Sequence, residues 1–353
     1  MGTVNPVADG HGTEAEDVVW MRLGAALDAV ARREAARLAH RVGMSADRVA
    51  EVELAVTEAA TNLQKYAKDG SLALRIVRLP GRAAVELLSL DSGPGIPDLS
   101  AALADGVSSR GTLGMGLGSI ARCADAFDVH SVPGAGTALL ARFWSVRADG
   151  ALADVEPWVA GLTRPISGET VCGDSWAARA GEGPGGDVVT VMMCDGLGHG
   201  PLAALAGERA RAAFRTNAHR PPELIVRALH EELKGTRGAA VAVARADLSR
   251  GTVEHCGVGN ISACVVSGDK RSALLSVPGI VGHQMPTLRT YQVPWERSGV
   301  LVLHSDGLSD RWSPASFPGL FRRRPALIAA QVLGQAGVRR DDAGIVVVKA
   351  ADS

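Results

Sequence analysis

The chain has 353 residues, 46% of them apolar and 21% charged, and its 37 Lys+Arg against 38 Asp+Glu leave a net charge of −1. That length and composition describe a globular protein of two or more domains, and acids and bases so interspersed exclude the global field of a nucleic-acid or anionic-membrane binder. Aromatic residues are only 4% of the sequence, so Leu, Val and Ala have to fill the cores and a base-stacking surface is not expected.

The first residues, "MGTVNPVADGHGTEAED", lack a signal-peptide pattern, and Pro6 stands where a myristoylation signal needs Ser or Thr. Residues 1–15 are expected as a flexible leader. No apolar run approaches the roughly 20 residues of a membrane helix. The five cysteines are irregularly spaced and form no C-x-x-C, which reads as reduced, mostly buried thiols in a cytoplasmic protein. "WMRLGAALDAVARREAARLAHRVG" has helical spacing with a stop at Gly43. Ser45-Ala-Asp-Arg then starts a second helix through "RVAEVELAVTEAATNLQKYA". "SLALRIVRLP" and "AAVELLSLDSG" alternate as strands around a turn at Pro80-Gly81, and a Gly-rich region, a helix through "GSIARCADAF" and a hairpin turning at Pro133-Gly134 follow. Residues 146–160 carry no periodicity and are expected as a linker between domains at 16–145 and 161–353. The second half is strand-rich ("VVTVMMCD", "GAAVAVARADL", "TVEHCGVGNISACVVSG", "GVLVLHSDGL", "AGIVVVKA"), with helices expected near 201–218 and 222–234. The basic run Arg322 to Arg324 is a solvated face. No internal repeat is present.

Two constellations carry chemistry. In the first half, Glu58 and Asn62 are four apart and share a helix face. The carboxamide oxygen suits a hard cation and the carboxylate can take a proton from a hydroxyl. Asp91 ends a strand in "DSGPGIPD", where Gly93 and Gly95 let backbone come close to a ligand. "GTLGMGLGS" places Gly114, Gly116 and Gly118 before a helix, an arrangement that offers N–H groups to phosphate. Singly, these are also a solvated helix pair and ordinary turns. No G-K-[ST] follows the glycines and no βαβ frame surrounds them, which excludes Walker-A and Rossmann sites. In the second half, Asp174, Asp195, Asp306 and the pair Asp341-Asp342 stand at strand ends. One such Asp is a turn residue; the set matches an all-oxygen centre for hard divalent ions.

The series Asn62, D-x-G-x-G-I, G-x-G-L-G and Gly136-Thr137 resembles the GHKL, or Bergerat-fold, ATP-binding domains over about 20–145. "TEAATNLQKYAKDG" is similar to the RsbT switch-kinase and anti-sigma-factor group. The resemblance implies an α/β sandwich with a mixed sheet and helices on one face. It implies that Asp91 accepts the adenine amino group, Thr137 supports the base, Asn62 holds Mg²⁺ on ATP, Gly114, Gly116 and Gly118 contact phosphate, and Glu58 is the general base for a protein serine. The short interval between the Gly boxes implies a small lid.

The set G-D, D-G-x-G-H-G, S-D-G and D-D-x-x-x-V-V-V resembles the SpoIIE-like branch of the metal-dependent protein phosphatases (PPM family) over about 160–350. "GETVCGDSW" leans toward its RsbX subgroup. This implies an αββα four-layer sandwich, so that the whole chain is of the α/β (α+β) class. It also implies two Mn²⁺ or Mg²⁺ ions held by Asp174, Asp195, the Gly196 carbonyl, Asp306 and Asp341, with Asp342 in support. His199 could be a zinc ligand or an acid, but its place in the turn suggests a packing or hydrogen-bonding residue, and His304, before Ser305-Asp306, is open to the same readings. The arginine and general-acid histidine of the larger eukaryotic relatives have no evident counterpart. Together the resemblances imply a kinase and phosphatase acting on STAS-domain, stressosome or anti-anti-sigma proteins, with a sigma factor as a further partner. A second reading keeps only the phosphatase as an enzyme, the first half being an ATP-dependent binding clamp.

Overall fold

The computed structural model describes residues 12–14, 18–79, 81–103, 116–147, 158–181, 188–338 and 340–350. The chain divides into two compact units, Glu16–Val155 and Glu156–Ser353, the latter joined by Met1–Ala15. The first described element, β1 (Gly12–Glu14), belongs to the second of these units and pairs antiparallel with its β8 (Asp174–Gly181). Residues expected as a leader therefore include an edge strand. Three residues carry no readable period, and what orders them is a free strand edge far along the chain.

The first unit contains β2 (Val19–Arg22), α1 (Leu27–Arg41), α2 (Ala46–Tyr66), β3 (Gly70–Leu79), β4 (Arg82–Asp91), α3 (Leu99–Leu103), α4 (Leu117–Cys123), β5 (Ala126–Val132) and β6 (Gly136–Trp144). The start of the expected first helix is instead β2, because Val19 to Arg22 pair with Leu74 to Ser71 and complete the sheet edge. Ser45 caps α2 as expected, accepting a hydrogen bond from the Arg48 amide. Among the described residues the sheet runs β2-β3-β4-β6-β5 and every pairing is antiparallel, not mixed. Tight turns join β3 to β4 and β5 to β6, and a hairpin reverses direction by construction. The helices lie on one face, where Ala31, Ala35, Val52, Val56 and Leu63 pack with Leu72, Leu74, Leu87 and Phe143. The small and aliphatic residues fill this core, as the low aromatic content requires.

The second unit contains β7 (Val159–Arg164), β8, β9 (Val188–Gly196), α5 (Pro201–Asn217), α6 (Pro222–Leu233), β10 (Ala239–Asp247), β11 (Thr252–Val258), β12 (Ser262–Ser267), β13 (Lys270–Leu274), β14 (Tyr291–Pro294), β15 (Val300–His304), α7 (Pro325–Ala336) and β16 (Ala343–Lys349). β7 starts inside the span expected as linker. Among the described residues one sheet runs β1-β8-β9-β10-β11-β14 and the other β13-β12-β15-β16-β7. Trp176, Val191, Met193 and Ala242 of the first meet Leu301, Leu303, Val346 and Val348 of the second. α5 and α6 cover the first sheet and α7 packs on β7 and β16, so the layers are α-β-β-α. The apolar run "TVEHCGVGNISACVV" is two strands in different sheets. It crosses between them at Gly259, whose φ of 95° suits glycine.

Candidate active sites

In the first unit, the end of α2 meets the loop after β4. Ser92 donates to the Asp69 carbonyl (3.1 Å), and a Cβ at Gly93 would stand 2.8 Å from the Tyr66 carbonyl oxygen. Glu58 and Asn62, both half-buried, are on that helix one turn apart. Burial holds the Glu58 carboxyl above its usual range, with Lys65 acting against it. Asp91 faces Thr137 across β4 and β6 and accepts from the Gly93 amide at 2.7 Å. Burial raises this carboxyl too, opposed by the Gly93 and Thr137 amides. The Thr137 hydroxyl is 2.9 Å from Ser131 Oγ, which accepts from the Ile96 amide at 2.8 Å. Ser131 is thus a positioning residue that carries no motif.

The glycines of this site divide by role. Gly95 has φ 71° and a Cβ there would lie 2.3 Å from the Val132 carbonyl oxygen; at Gly93 a Cβ would lie 2.8 Å from both the Asp91 carboxylate and the Tyr66 carbonyl oxygen. Glycine at both positions seats the loop against its own protein. Gly116 caps α4 in open space, while Gly118 is packed against the Leu103 carbonyl. Gly114 lies outside the described residues.

In the second unit, the pairing of β8 with β9 sets Asp174 directly opposite Asp195. The carboxylates grade from floor to mouth: Asp174 is buried, Asp195 half-buried, Asp306 and Asp341 exposed. Ser305 Oγ donates to Asp174 Oδ2 at 2.5 Å and accepts from the Gly344 amide at 2.9 Å. Asp174 Oδ1 is buried and has no hydrogen-bond partner among the described residues. Burial, then the charges of Asp195, Asp342 and Asp306, holds the Asp174 carboxyl well above its usual range against the Ser305 bond. Burial, then Asp306 and Asp341, pushes Asp195 up to about 7. Asp306 is raised by partial burial and by Asp341, although Asn260 Nδ2 donates to its Oδ2 at 2.6 Å.

Asp342 has another task. Its two oxygens accept from the Ile166 and Gly173 amides at 2.7 and 2.8 Å, fixing the turn that delivers Asp174. Gly196 ends β9, where a Cβ would meet the Ala203 carbonyl oxygen at 2.4 Å, so α5 sits tightly on this loop. His199 is exposed and pairs with Glu169 at 3.0 Å. His304 is buried, with Nδ1 2.9 Å from the Ser305 carbonyl and Nε2 facing Trp312 and Asp310. Neither histidine bonds to one of these aspartates. Sequence reasoning missed Ser305 and Asn260 as positioning residues; only the "S" of S-D-G hinted at the first.

Among the described residues, no three His, Cys, Asp or Glu side chains close around one point as in a complete protein cage. Asp174 and Asp195 instead face each other, and few protein carboxylates suit Mg²⁺ or Mn²⁺, which keep several waters. An orphaned buried oxygen beside carboxyls raised by mutual repulsion fits such a cation.

The fold and sites define an antiparallel sheet with helices on one face, followed by a double sheet that carries a carboxylate centre. Residues 23–143 match the family model of the histidine kinase-like ATPase domain, and residues 185–349 match stage II sporulation protein E (SpoIIE). The serine/threonine-protein kinase RsbT of Bacillus subtilis (strain 168) is 36% identical over 118 residues, 33% of this chain and 89% of that protein. The phosphoserine phosphatase RsbX of the same organism is 24% identical over 143 residues, 40% of this chain and 70% of that protein. A solved structure described as "The bacterial stressosome: a modular system that has been adapted to control secondary messenger signaling" is 31% identical, covers 54% of this chain and 98% of its own, and superposes with a TM-score of 0.50. The chain belongs to the RsbT-like histidine kinase-like ATPases through its first unit, and its second unit is similar to SpoIIE and to the phosphatase RsbX. Among the described residues no helix is long and apolar enough to cross a membrane.

Proposed function

We propose that this chain sets the phosphorylation state of partner-switch proteins of a bacterial stress response in both directions. The first unit transfers phosphate from ATP to a serine of a STAS-domain, stressosome or anti-anti-sigma protein. The second removes it with Mn²⁺ or Mg²⁺. The observation that carries the phosphatase half is Asp195 set opposite the buried Asp174 with its orphaned oxygen.

Asp174, Asp195, the Gly196 carbonyl, Asp306 and Asp341 would hold the ions. When bound, such ions neutralise phosphoryl oxygens and acidify a water for in-line attack. Ser305 orients Asp174, Asp342 holds the turn beneath it, and Asn260 steers Asp306. In the first unit, Asp91 and Thr137 would take the adenine, and Asn62 the Mg²⁺ on the phosphates. Gly116 and Gly118, with Gly114, would lie along the phosphates. Glu58 would accept the serine proton, a task its raised carboxyl suits better than an ordinary one. The free thiols fit a cytoplasmic setting.

Incubation of the full chain with [γ-³²P]ATP and candidate STAS-domain proteins, followed by Mn²⁺, tests both halves. Label should enter the partner and then leave on Mn²⁺ addition. Glu58→Gln should slow labelling about a hundredfold or more. Equal labelling by Glu58→Gln, or none by the wild type, would leave the first unit a nucleotide-dependent clamp. No Mn²⁺-dependent release would end the phosphatase reading.

A further inference from the structure

The ions expected at the carboxylate centre would meet only part of a phosphomonoester dianion, and a guanidinium at the rim can take the remaining oxygens. Arg237 is in that position. The register of β9 on β10 opposes Gly196 to Ala239, and one step further the Leu197 amide donates to the Gly238 carbonyl at 3.0 Å. Arg237 therefore stands beside the metal-loop residues Leu197 and Gly198. Its guanidinium lies over Gly198, where a Cβ would be 2.8 Å from Arg237 Nη1. Gly198 has φ 87°, so glycine there serves the backbone and leaves room for the guanidinium. The Gly198 carbonyl in turn approaches Gly173, the neighbour of Asp174.

The turn that carries Arg237 is held on both sides. Thr236 Oγ1 donates to the Leu233 carbonyl at 2.7 Å and accepts from the Gly238 amide at 3.0 Å, and His283 Nε2 is 3.1 Å from the Thr236 carbonyl. The Arg237 side chain itself is exposed and makes no hydrogen bond or ion pair with the described residues. A positioned guanidinium with its donors unspent, next to a carboxylate centre, has the planar fork that matches phosphate oxygens.

We infer that Arg237 binds the phosphate of the phosphoserine substrate through oxygens turned away from the carboxylate centre. It would do so as a substrate-binding residue, not a metal ligand. The inference rests on the phosphatase reading of this unit, and its test separates the two. Inorganic phosphate is titrated calorimetrically into the full chain in Mg²⁺, for wild type, Arg237→Ala and Arg237→Lys. Hydrolysis of p-nitrophenyl phosphate is followed in parallel. Arg237→Ala should weaken phosphate binding about tenfold or more, and Arg237→Lys, a point charge without the fork, should recover part of it. KM should rise by a similar factor while kcat stays within about threefold and the Mg²⁺ requirement is unchanged. Equal phosphate affinity in wild type and Arg237→Ala, or no phosphate binding by the wild type, overturns the assignment. Phosphate bound through Arg237 without hydrolysis would uphold it and sink the phosphatase reading alone.

Discussion

At Ser305 a single hydroxyl serves two strands, donating to Asp174 and accepting from the amide of Gly344. Its removal leaves a buried carboxylate oxygen and a buried amide without partners, and the carboxylate loses the group that aims it. Ser305→Ala is expected to raise the Mn²⁺ concentration for half-maximal phosphatase activity about tenfold to a hundredfold, read from a metal titration. Asp342 shows the opposite lesson about reading residue types. It sits in the D-D pair, yet both of its oxygens are spent on backbone amides. Neighbouring aspartates thus do different work, one facing the site and the other holding the turn under it.

At the scale of elements, the central strands of the first unit carry a buried ionic triad. Arg75 Nε donates to Glu86 Oε1 at 2.8 Å on β3 and β4, and Arg142 Nε on β6 donates to Glu86 Oε2 at 2.8 Å. Burial pushes the Glu86 carboxyl up, but the two guanidiniums overcome it and hold it below its usual range. Glu86→Gln would leave two buried cations facing each other. A loss of about 3–5 kcal/mol is expected in urea unfolding of the transition that reports the first unit. A leucine at this position would not test the same thing, because it would also change packing. The triad is invisible to periodicity: Arg75, Glu86 and Arg142 read in sequence as the polar alternates of half-exposed strands. All three are nonetheless buried, and the register of β3, β4 and β6 sets Arg75 and Arg142 directly on either side of Glu86.

At the scale of the whole molecule, the carboxylate centre makes stability depend on pH and metal together. Asp195 in the folded chain is raised to about 7, above its unfolded range. Between those values the folded state holds more protons than the unfolded one, so this contribution is full in acid and is lost as pH rises through about 7. Chelator-treated protein should therefore melt at a lower temperature at pH 8 than at pH 6, by about 5 °C. Mn²⁺ should reverse the loss by taking the place of the proton. An unchanged melting temperature across that range would show that the carboxyls do not repel as the geometry requires. Much of this was legible beforehand: Asp at the end of "VVTVMMCD" and "GVLVLHSD" is costly unless a positive charge meets it, and the helical pairing of Glu58 with Asn62 follows from a 3.6-residue turn. The residue types, the strand ends and the two-part organisation are local and compositional, so the sequence by itself determined them. Only the tertiary structure decided that Asp174 lies opposite Asp195, that Ser305 and Asp342 support that pair, that Gly93 and Gly95 seat their own loop, and that Arg237 rests on Gly198. Each of those depends on register and close approach between segments far apart in the chain, which no local pattern encodes.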